Sequence, residues 1–526
     1  MKNTIKITFS ISVLFLLVGF AQAQYTETMS SIEKTQARSL WFFGSNNAAG
    51  LTIDQNDFAD RVFTGFDRIS GDFRRPQAGE TESIFRLKAD GGLKLGEGFA
   101  WGVFDYNHIT NRGTRWNASL LNPFRNMPFY VADPGISDWI IQSYFMQTKL
   151  STPFLFGDRI ALGLDASYRN EMGGKQMDPR STNRFYSFNV KPGLVFQINP
   201  QNFVGISGEF LSHREDHQSS RAVHFQAYPV FVMLGAGFNQ PGTVGVGSSL
   251  PLPQRWSIKD LLGGEIQYGA KIGNVNALLA AGYRKGVEDM FDNSDINLVD
   301  VWIPRRVGSV STDEFHINLR STFGSNNNLN MINLGMSNVN MRGIEYVQEM
   351  DQDVTVRRWI VLHQSTRSTF DRMNLHASYD FFRGRSETDY AWRAGLFANY
   401  ISNKDAYIVP VGIQDFTAVN FGIHAKYNWA INSESQVLLG GRIMRHSNLS
   451  SEFAYQGPGP DSPVITDFVI PDFEMRTMNH TLIGADLTFH FRLQNMGFFV
   501  GQHLDYITAP EGLNRMFYSV KIGFTF

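Results

Sequence analysis

The sequence predicts an all-β protein, a transmembrane antiparallel β-barrel of about 18 strands, within a range of 16–20. Three observations predict it. The chain ends in a strand with one apolar and one polar face, similar segments recur along its whole length, and tight turns alternate with long loops between them. A closed barrel is the one β-structure that can span a bilayer, because every backbone N–H and C=O finds a partner inside its wall.

The final strand carries the strongest signal. Its apolar residues share one parity, and polar residues take the other except at Phe517. The alternating residues are Met516, Tyr518, Val520, Ile522, Phe524 and the terminal Phe526. This stretch resembles the C-terminal assembly signal of bacterial outer-membrane proteins. The resemblance implies that Tyr518, Val520, Ile522, Phe524 and Phe526 form an assembly signal, that the barrel assembly machinery is a partner, and that the destination is the Gram-negative outer membrane.

The N-terminus has the pattern of a signal peptide. Lys2 and Lys6 precede an apolar run, and Ala21-Gln22-Ala23 offers small residues for cleavage. A retained membrane anchor is the alternative, but the run is shorter than the ~20 residues of a spanning helix. We expect residues 1–23 to be removed, 24–61 to form an N-terminal segment that could lie in the lumen, and 62–526 to form the barrel.

Composition narrows the possible partners. The formal net charge is −2, whereas a nucleic-acid partner would need a clustered positive field. The chain has no cysteine, so it has no disulfide and no thiolate metal site. After the signal peptide no apolar run reaches the ~18 residues of a membrane helix. The expected partner of the apolar strand faces is therefore outer-membrane lipid, with no nucleic acid.

Eighteen alternating segments can be placed along the chain. They lie at about 62–73, 82–95, 99–108, 138–151, 159–171, 184–198, 203–214, 257–271, 275–286, 313–323, 328–341, 372–382, 389–401, 416–430, 436–446, 477–491, 497–507 and 515–526. Long loops are expected near 109–137, 215–256, 287–312, 342–371 and 447–476. Short turns are typical of the periplasmic end and long loops of the outside, so the chain begins and ends its barrel at the periplasmic end.

The parity that faces inward carries charges of both signs. The predicted lumen-lining residues are Arg86, Lys88, Glu209, Arg320, His424, Lys426 and Asp486. Such groups are tolerated where the interior holds water or a salt-bridged network, and in a channel they can also act as a selectivity filter. Because both signs occur, the sequence does not predict a preference for anions or cations.

The segment before the first strand differs from the rest of the chain. Residues 31–40 predict a short helix capped by Ser30 or Ser31. Asn47-Ala48-Ala49-Gly50-Leu51 is similar to the Asn-Pro-Ala-Gly stretch of fatty-acid transporter barrels, with Ala48 in place of proline. That resemblance implies a hydrophobic channel as one alternative function.

Metal binding and catalysis are weakly indicated. Six histidines share the inward parity, but none has the spacing of paired metal ligands; they are His316, His376, His424, His480, His490 and His503. His363-Gln364-Ser365 resembles the outer-membrane phospholipase pattern, and Arg445-His446-Ser447-Asn448 that of the lipid A deacylases. Those enzymes have smaller barrels, and the second string lacks a spacer residue. We expect no enzyme activity, no cofactor and no metal.

Taken whole, the pattern resembles the Bacteroidota outer-membrane β-barrel proteins of uncharacterised function. The resemblance implies location and fold more than substrate. A barrel of sixteen to eighteen strands leaves an aqueous passage unless loops or a terminal segment close it. We therefore expect a passive or accessory channel for small solutes. The alternative is a structural or assembly partner of another outer-membrane complex, such as a transporter.

Overall fold

The computed structural model describes residues 28–54, 60–125, 127–220, 226–245, 254–294, 303–325, 327–351, 358–494 and 496–526. The predicted signal peptide, residues 1–23, lies outside the described residues. Strands dominate the described chain, and the helical residues are concentrated before the first strand and in one external connection. Among the described residues, no helix combines the length and apolarity needed to cross a bilayer.

The strands follow the chain in a simple order. They are β1 Arg61–Ser70, β2 Thr81–Leu95, β3 Gly98–Thr114, β4 Val131–Ala132, β5 Ser137–Ser151, β6 Ile160–Lys175, β7 Arg180–Asn199, β8 Asn202–Ser220, β9 Ala227–Gly235, β10 Phe238–Gly245, β11 Gln254–Ile272, β12 Val275–Ser294, β13 Ile303–Gly324, β14 Asn328–Asp351, β15 Arg358–Gly384, β16 Tyr390–Tyr407, β17 Gly412–Ala430, β18 Ser435–Tyr455, β19 His480–Leu493, β20 Met496–Thr508 and β21 Asn514–Thr525. Within the described chain, eighteen of them form one closed sheet, and β4, β9 and β10 form a separate small sheet.

The large sheet closes on itself as an antiparallel barrel. Each strand of the ring pairs with the next one along the chain, and β8 pairs directly with β11. The ring is completed by β1 and β21, whose register runs from Arg61 opposite Thr525 to Ser70 opposite Met516. The predicted fold class and the count of eighteen strands are confirmed.

The wall has an apolar outer face and a polar inner face. In β11, Leu262 and Ile266 are 67% and 63% exposed, whereas Glu265 and Gln267 between and beside them are 5% and 3% exposed. Exposed apolar side chains around a closed sheet are what lipid requires, and the inward parity then carries the polar groups. The same alternation is present in β17, where Trp429 is 58% exposed and Asn428 is fully buried.

The strands are longer than predicted at the end with the long connections. Strand β13 begins at Ile303 rather than near 313, and β14 and β15 occupy most of the predicted loop at 342–371. The alternation fails at the start of β15, where Ile360, Val361 and Leu362 are consecutive exposed apolar residues, although this part of the strand is paired with β14. The predicted loops at 215–256, 287–312 and 447–476 are also shortened.

Four short helical pieces precede the barrel. They are α1 Met29–Arg38, α2 Leu40–Gly44, a 3₁₀ turn at Ala48–Gly50 and α3 Leu51–Asp54. The predicted cap at Ser30 or Ser31 is wrong: the helix begins earlier, and the Thr28 hydroxyl accepts a hydrogen bond from the Ser31 amide at 3.2 Å. Residues 28–54 are called the inner segment below.

Three external connections pack together at the long-loop end. Residues 115–136, which contain a 3₁₀ turn at Pro123–Arg125, meet the β9–β10 hairpin through β4. A π-helical turn at Ile465–Val469 leads into α4 Ile470–Thr477 against them, where a loop was predicted, and a last 3₁₀ turn lies at Pro510–Gly512. The described residues of 115–136, 227–245 and 465–477 are called the outer cap below. Its centre holds Trp116, 1% exposed, stacked on Phe468 with ring centroids 5.4 Å apart.

Candidate functional site

The inner segment is bonded to inward-facing residues from strands around much of the ring. On α1, Glu33 accepts from Lys426 Nζ at 2.9 Å and from the Tyr390 hydroxyl at 2.7 Å. Burial opposes ionisation of Glu33, but Lys426, Tyr390 and Arg393 together outweigh it and hold the pKa of this carboxyl below its ordinary value. On the opposite side of the ring, Thr52 donates to Ser151 Oγ at 3.0 Å. The segment therefore bridges distant parts of the wall.

Asn47 fixes the middle of the inner segment to the wall. Its side-chain amide donates to the backbone carbonyls of Leu194 and Ile206 at 2.9 and 3.2 Å and to Gln267 Oε1 at 3.0 Å. Its own oxygen accepts from the Ala49 amide at 3.0 Å. Because one side chain satisfies four partners, this turn has a single position against β7, β8 and β11.

Two wall glycines make room for that turn. A Cβ atom at Gly193 would lie 2.1 Å from Asn47 Oδ1, and one at Gly163 would lie 2.0 Å from the Ala49 nitrogen. No side chain fits at those distances, so the inner segment contacts bare backbone there. The result is a notch in the inner wall whose shape matches the turn at residues 47–49.

The second helix of the inner segment carries its apolar contacts. Trp41 is 3% exposed and packs over Gly269, and Phe42 meets Trp101 edge-on at 5.0 Å. The Asp54 carboxylate accepts from the Trp41 and Phe42 amides at 3.1 and 2.8 Å. Burial raises the pKa of Asp54 to about 6, and these two amide bonds act against the rise.

A cavity of about 450 Å³ lies between α1 and the wall formed by β16 to β21. Its lining includes Glu33, Arg393, His424, Lys426, Arg442, Asp486, His503 and Lys521. Most of the charges are paired: Lys426 lies 2.9 Å from Glu33 and 3.5 Å from Asp486, and Arg442 bonds Asp505. The cavity is thus a polar space, large enough for several waters or a small solute, with fixed charges on its walls.

The seven predicted lumen residues fall into three groups. His424, Lys426 and Asp486 share the cavity. Arg320 donates to the Gln36 carbonyl of the inner segment at 2.9 Å, and Glu209 lies between Lys191 and Arg284 at 3.7 and 3.6 Å. Arg86 and Lys88 are on β2, across the β1–β21 seam from the cavity. The predicted lumen residues therefore lie in separate places around the inner wall, and only three of them line the cavity.

Sequence reasoning missed the partners that the inner segment supplies. Glu33 and Asn46 were not singled out, although Glu33 contacts Lys426 and Asn46 bonds both Glu265 oxygens at 2.9 and 3.0 Å. The sequence signal that could have indicated these partners was the presence of polar residues in a stretch without strand periodicity. Their partners lie hundreds of residues away and have no mark in the sequence.

The inward histidines are separated by the wall. His316 bonds Glu265 at 2.8 Å, His424 bonds Asp380 at 2.7 Å, and His503 bonds Asp505 at 3.0 Å. Within the described ranges, no three His, Asp or Glu side chains are arranged to hold a metal ion. His316, His424 and His503 thus serve as hydrogen-bonding partners of carboxylates, whereas His376 bonds the Asn399 side chain and His480 the Met478 carbonyl.

The alternating apolar residues of the final strand form a row on the outer face of β21. Ile522 is 55% exposed, while Ser519 and Thr525 on the other parity are 2% and 0% exposed. The Phe526 amide donates to the Asp60 carbonyl at 3.1 Å, beside the seam with β1. The row presents its side chains where lipid would contact the barrel.

A closed eighteen-stranded wall with an apolar outside and a charged inside defines a transmembrane β-barrel of the outer-membrane type. The chain belongs to a family of unknown function, DUF6850, whose model matches residues 48–526. No curated protein sequence matches the chain.

Several solved structures resemble it at low identity. The ferric preacinetobactin receptor BauA from Acinetobacter baumannii is 8% identical with a TM-score of 0.36, covering 88% of this chain and 80% of its own. The ferric-catecholate import receptor Fiu from E. coli K12, in its open form, is 8% identical with a TM-score of 0.38, covering 88% and 81%. The outer-membrane transporter YddB from Escherichia coli is 9% identical with a TM-score of 0.35, covering 89% and 81%. At these scores the likeness carries no argument about function.

Proposed function

We propose that this protein resides in the outer membrane and is a passive channel for small polar solutes, closed at rest. The observation that carries the proposal is the charged cavity of about 450 Å³ inside a lipid-facing wall, between the inner segment and the inner faces of β16 to β21. Charged groups inside a barrel are stable when water reaches them, and a hydrated charged passage favours polar solutes over lipids. The cavity walls therefore favour a polar solute over the fatty-acid alternative.

The inner segment is the proposed movable closure. It is attached through hydrogen bonds such as those of Asn47 and Glu33, and water can replace those bonds when the segment leaves. Its departure would not disturb the ring, whose backbone bonds run only between strands. Release of residues 28–54 would open the end of the barrel that carries the short turns.

Alanines in the wall notch test this closure without altering the inner segment. The double variant Gly163→Ala/Gly193→Ala places Cβ atoms about where Ala49 and Asn47 now sit, so the segment should be displaced and ion conductance in planar bilayers should rise at least tenfold. Gly208→Ala is the matched control on the same sheet, because its Cβ would be 3.8 Å from the nearest atom and should leave conductance unchanged.

Two outcomes would contradict the proposal. If the double variant and the parent protein both insert as heat-modifiable barrels and neither passes ions, the structural or accessory role replaces the channel. If the control Gly208→Ala conducts as well as the double variant, the notch has no part in closure.

The route to the membrane is a further part of the proposal. Residues 1–23 would be removed, so protein from the outer-membrane fraction should begin at or near Gln24. Tyr518, Val520, Ile522, Phe524 and Phe526 would guide assembly, and Phe526→Asp should lower the amount of folded barrel. Normal folded levels of Phe526→Asp would remove the assembly role of this row.

A further inference from the structure

Lys521 occupies an unusual place on the inner wall. Its cross-strand neighbours are Gly501 on β20 and Gly65 on β1, so no side chain stands beside it in its row. A Cβ atom at Gly65 would lie 3.5 Å from Lys521 Cγ, which shows that the lysine stem runs along this bare backbone. Lys521 is half-buried and lines the 450 Å³ cavity.

The ammonium of Lys521 differs from the other cations of the cavity. Arg393 bonds Asp380 at 2.8 Å, Lys426 bonds Glu33 at 2.9 Å, and Arg442 bonds Asp505. Across the part of the chain that the structure describes, Lys521 makes no ion pair or hydrogen bond; its Nζ lies 6.0 Å from the centroid of the Phe63 ring, and Asp67 attracts it from a longer range. A half-buried ammonium with no carboxylate in contact is costly, so this position favours an anion from solution.

Two more cations lie on β2, which is separated from β21 by β1. Arg86 is opposite Gly65, in the same row as Lys521, and Lys88 is two residues further along the same face of β2. Neighbouring strands are about 4.8 Å apart, so the Lys521 and Arg86 backbones are separated by about 10 Å, a gap that two long side chains can close around a small ion.

The hydrogen-bonding groups of Arg86 are only partly used. Its Nε donates to the neutral amide of Asn107 at 2.9 Å, whereas the carboxylates of Asp67 and Asp105 lie at 3.6 and 4.0 Å. Lys88 has no ion pair within the described residues. The three cations and these two carboxylates together leave one positive charge, and Gly65 places no side chain between Lys521 and Arg86 in their row.

We propose that Lys521, Arg86 and Lys88 bind a small oxyanion, the phosphate or carboxylate group of a solute, inside the barrel. A guanidinium presents donors in a planar fork and an ammonium adds a point charge, the combination that suits such groups. The inference rests on the proposed channel function and names the class of solute: small anions bearing phosphate or carboxylate.

Calorimetric titration of the purified full-length barrel tests the site. At low ionic strength, inorganic phosphate and succinate are titrated separately, because salt screens such binding. We expect saturable binding of at least one of them. Lys521→Gln should weaken it at least tenfold, Lys521→Arg should retain it within about threefold, and Asp67→Asn should tighten it. Lys404→Gln, an exposed lysine 3.5 Å from Asp415, should leave it unchanged.

The outcomes separate the site from the channel. Binding of phosphate alone, or of succinate alone, supports the site and identifies the group it prefers. No binding of either, or equal affinity in Lys521→Gln, overturns it. If oxyanions bind but the Gly163→Ala/Gly193→Ala barrel does not conduct, the channel proposal fails and the site stands; if that barrel conducts but nothing binds, only the site is lost.

Discussion

The inner segment and the outer cap close opposite ends of the same barrel in different ways. The cap has a core of its own, in which Trp116 and Phe468 come from separate connections and pack on each other. The apolar residues of the inner segment instead share one cluster with the wall, in which Trp41 and Ile53 are grouped with wall residues such as Phe203 and Leu278. A closure with its own core resists removal of any of its parts. A closure whose apolar contacts are made with the wall can separate from the wall as a unit. The difference indicates that the cap is fixed and the segment is movable.

Buried ion pairs strengthen the same contrast. In the cap, Arg125 lies 2.8 Å from Glu288 and 3.1 Å from Glu215, and all three side chains are largely buried. Arg255 bonds Asp292 and also donates to the Phe129 carbonyl, which ties the cap to β11 and β12. Removal of one partner of such a pair leaves a buried charge without compensation, so the cap cannot separate from the wall cheaply.

Of the four tests of this comparison, Trp116→Ala should cause the largest loss of stability, and the loss should be confined to the outer cap. This substitution removes a tryptophan side chain that is 1% exposed at the centre of the cap, and loss of such a side chain costs about 3–5 kcal/mol. The cap should become sensitive to protease added to the outside, while the inner segment stays protected. Trp429→Ala, on the exposed outer face, is the control and should not alter cap cleavage. Equal loss of protection at both closures would show that they are one cooperative unit.

Arg125→Met should have the second largest effect, a loss of about 3 kcal/mol in the stability of the outer cap. Glu215 and Glu288 then remain buried without their shared cation. Denaturant dependence of cap proteolysis measures the change. Arg169→Met removes a half-exposed arginine 3.4 Å from Glu171 and should cost less than about 1 kcal/mol. A similar cost for both variants would remove ion pairing as the reason for the fixed cap.

The free energy that holds the inner segment against the wall should fall as pH rises, by about 2–3 kcal/mol at most. Asp54 has a pKa of about 6 in the folded protein against an ordinary 3.8, so the folded state holds its proton more tightly. The stabilising contribution of Asp54 is therefore complete in acid and is lost as pH rises from about 4 to about 6. Hydrogen exchange of the Trp41 and Phe42 amides at pH 4.5 and 7.5 measures this. Asp54→Asn should flatten the profile; an unchanged pH profile in that variant would assign it to another group.

Asn47→Ala should have the smallest effect, about 1–2 kcal/mol, because the three wall acceptors it abandons can be reached by water once the turn moves. Proteolysis within residues 28–54 should increase while cap cleavage stays constant. Asn170→Ala, an exposed position whose amide bonds only Tyr168, is the control. Cap cleavage that rises together with segment cleavage would show coupling between the two ends.

The sequence predicted the barrel well because lipid imposes a pattern on each strand separately. The alternation of Val419, Phe421 and Ile423 with polar residues is complete within one strand and needs no knowledge of its partners. Where that alternation ends, prediction failed: β15 begins at Arg358, fourteen residues before the predicted start at 372, and its first residues pair with β14 without a period of two.

The site was predicted only as a list of inward charges. Parity alone places Lys426 and Lys521 on the inner face, but it does not show that one is paired with Glu33 and the other has glycine on both sides. Those facts depend on the register between strands and on the position of the inner segment. Both are set by long-range contacts that leave no periodic trace.

The seam between β1 and β21 also has a consequence for the time course of folding. It joins Ser70 to Met516, so the two edges cannot meet until nearly the entire chain is available, and this pairing carries a large entropic cost of closure. Until then both terminal strands present unpaired backbone, a template on which another chain can add. Substitutions at the seam, such as Gly523→Ala, whose Cβ would lie 2.4 Å from Phe63, should therefore slow closure and increase misassembly into multimers as well as strain the finished barrel.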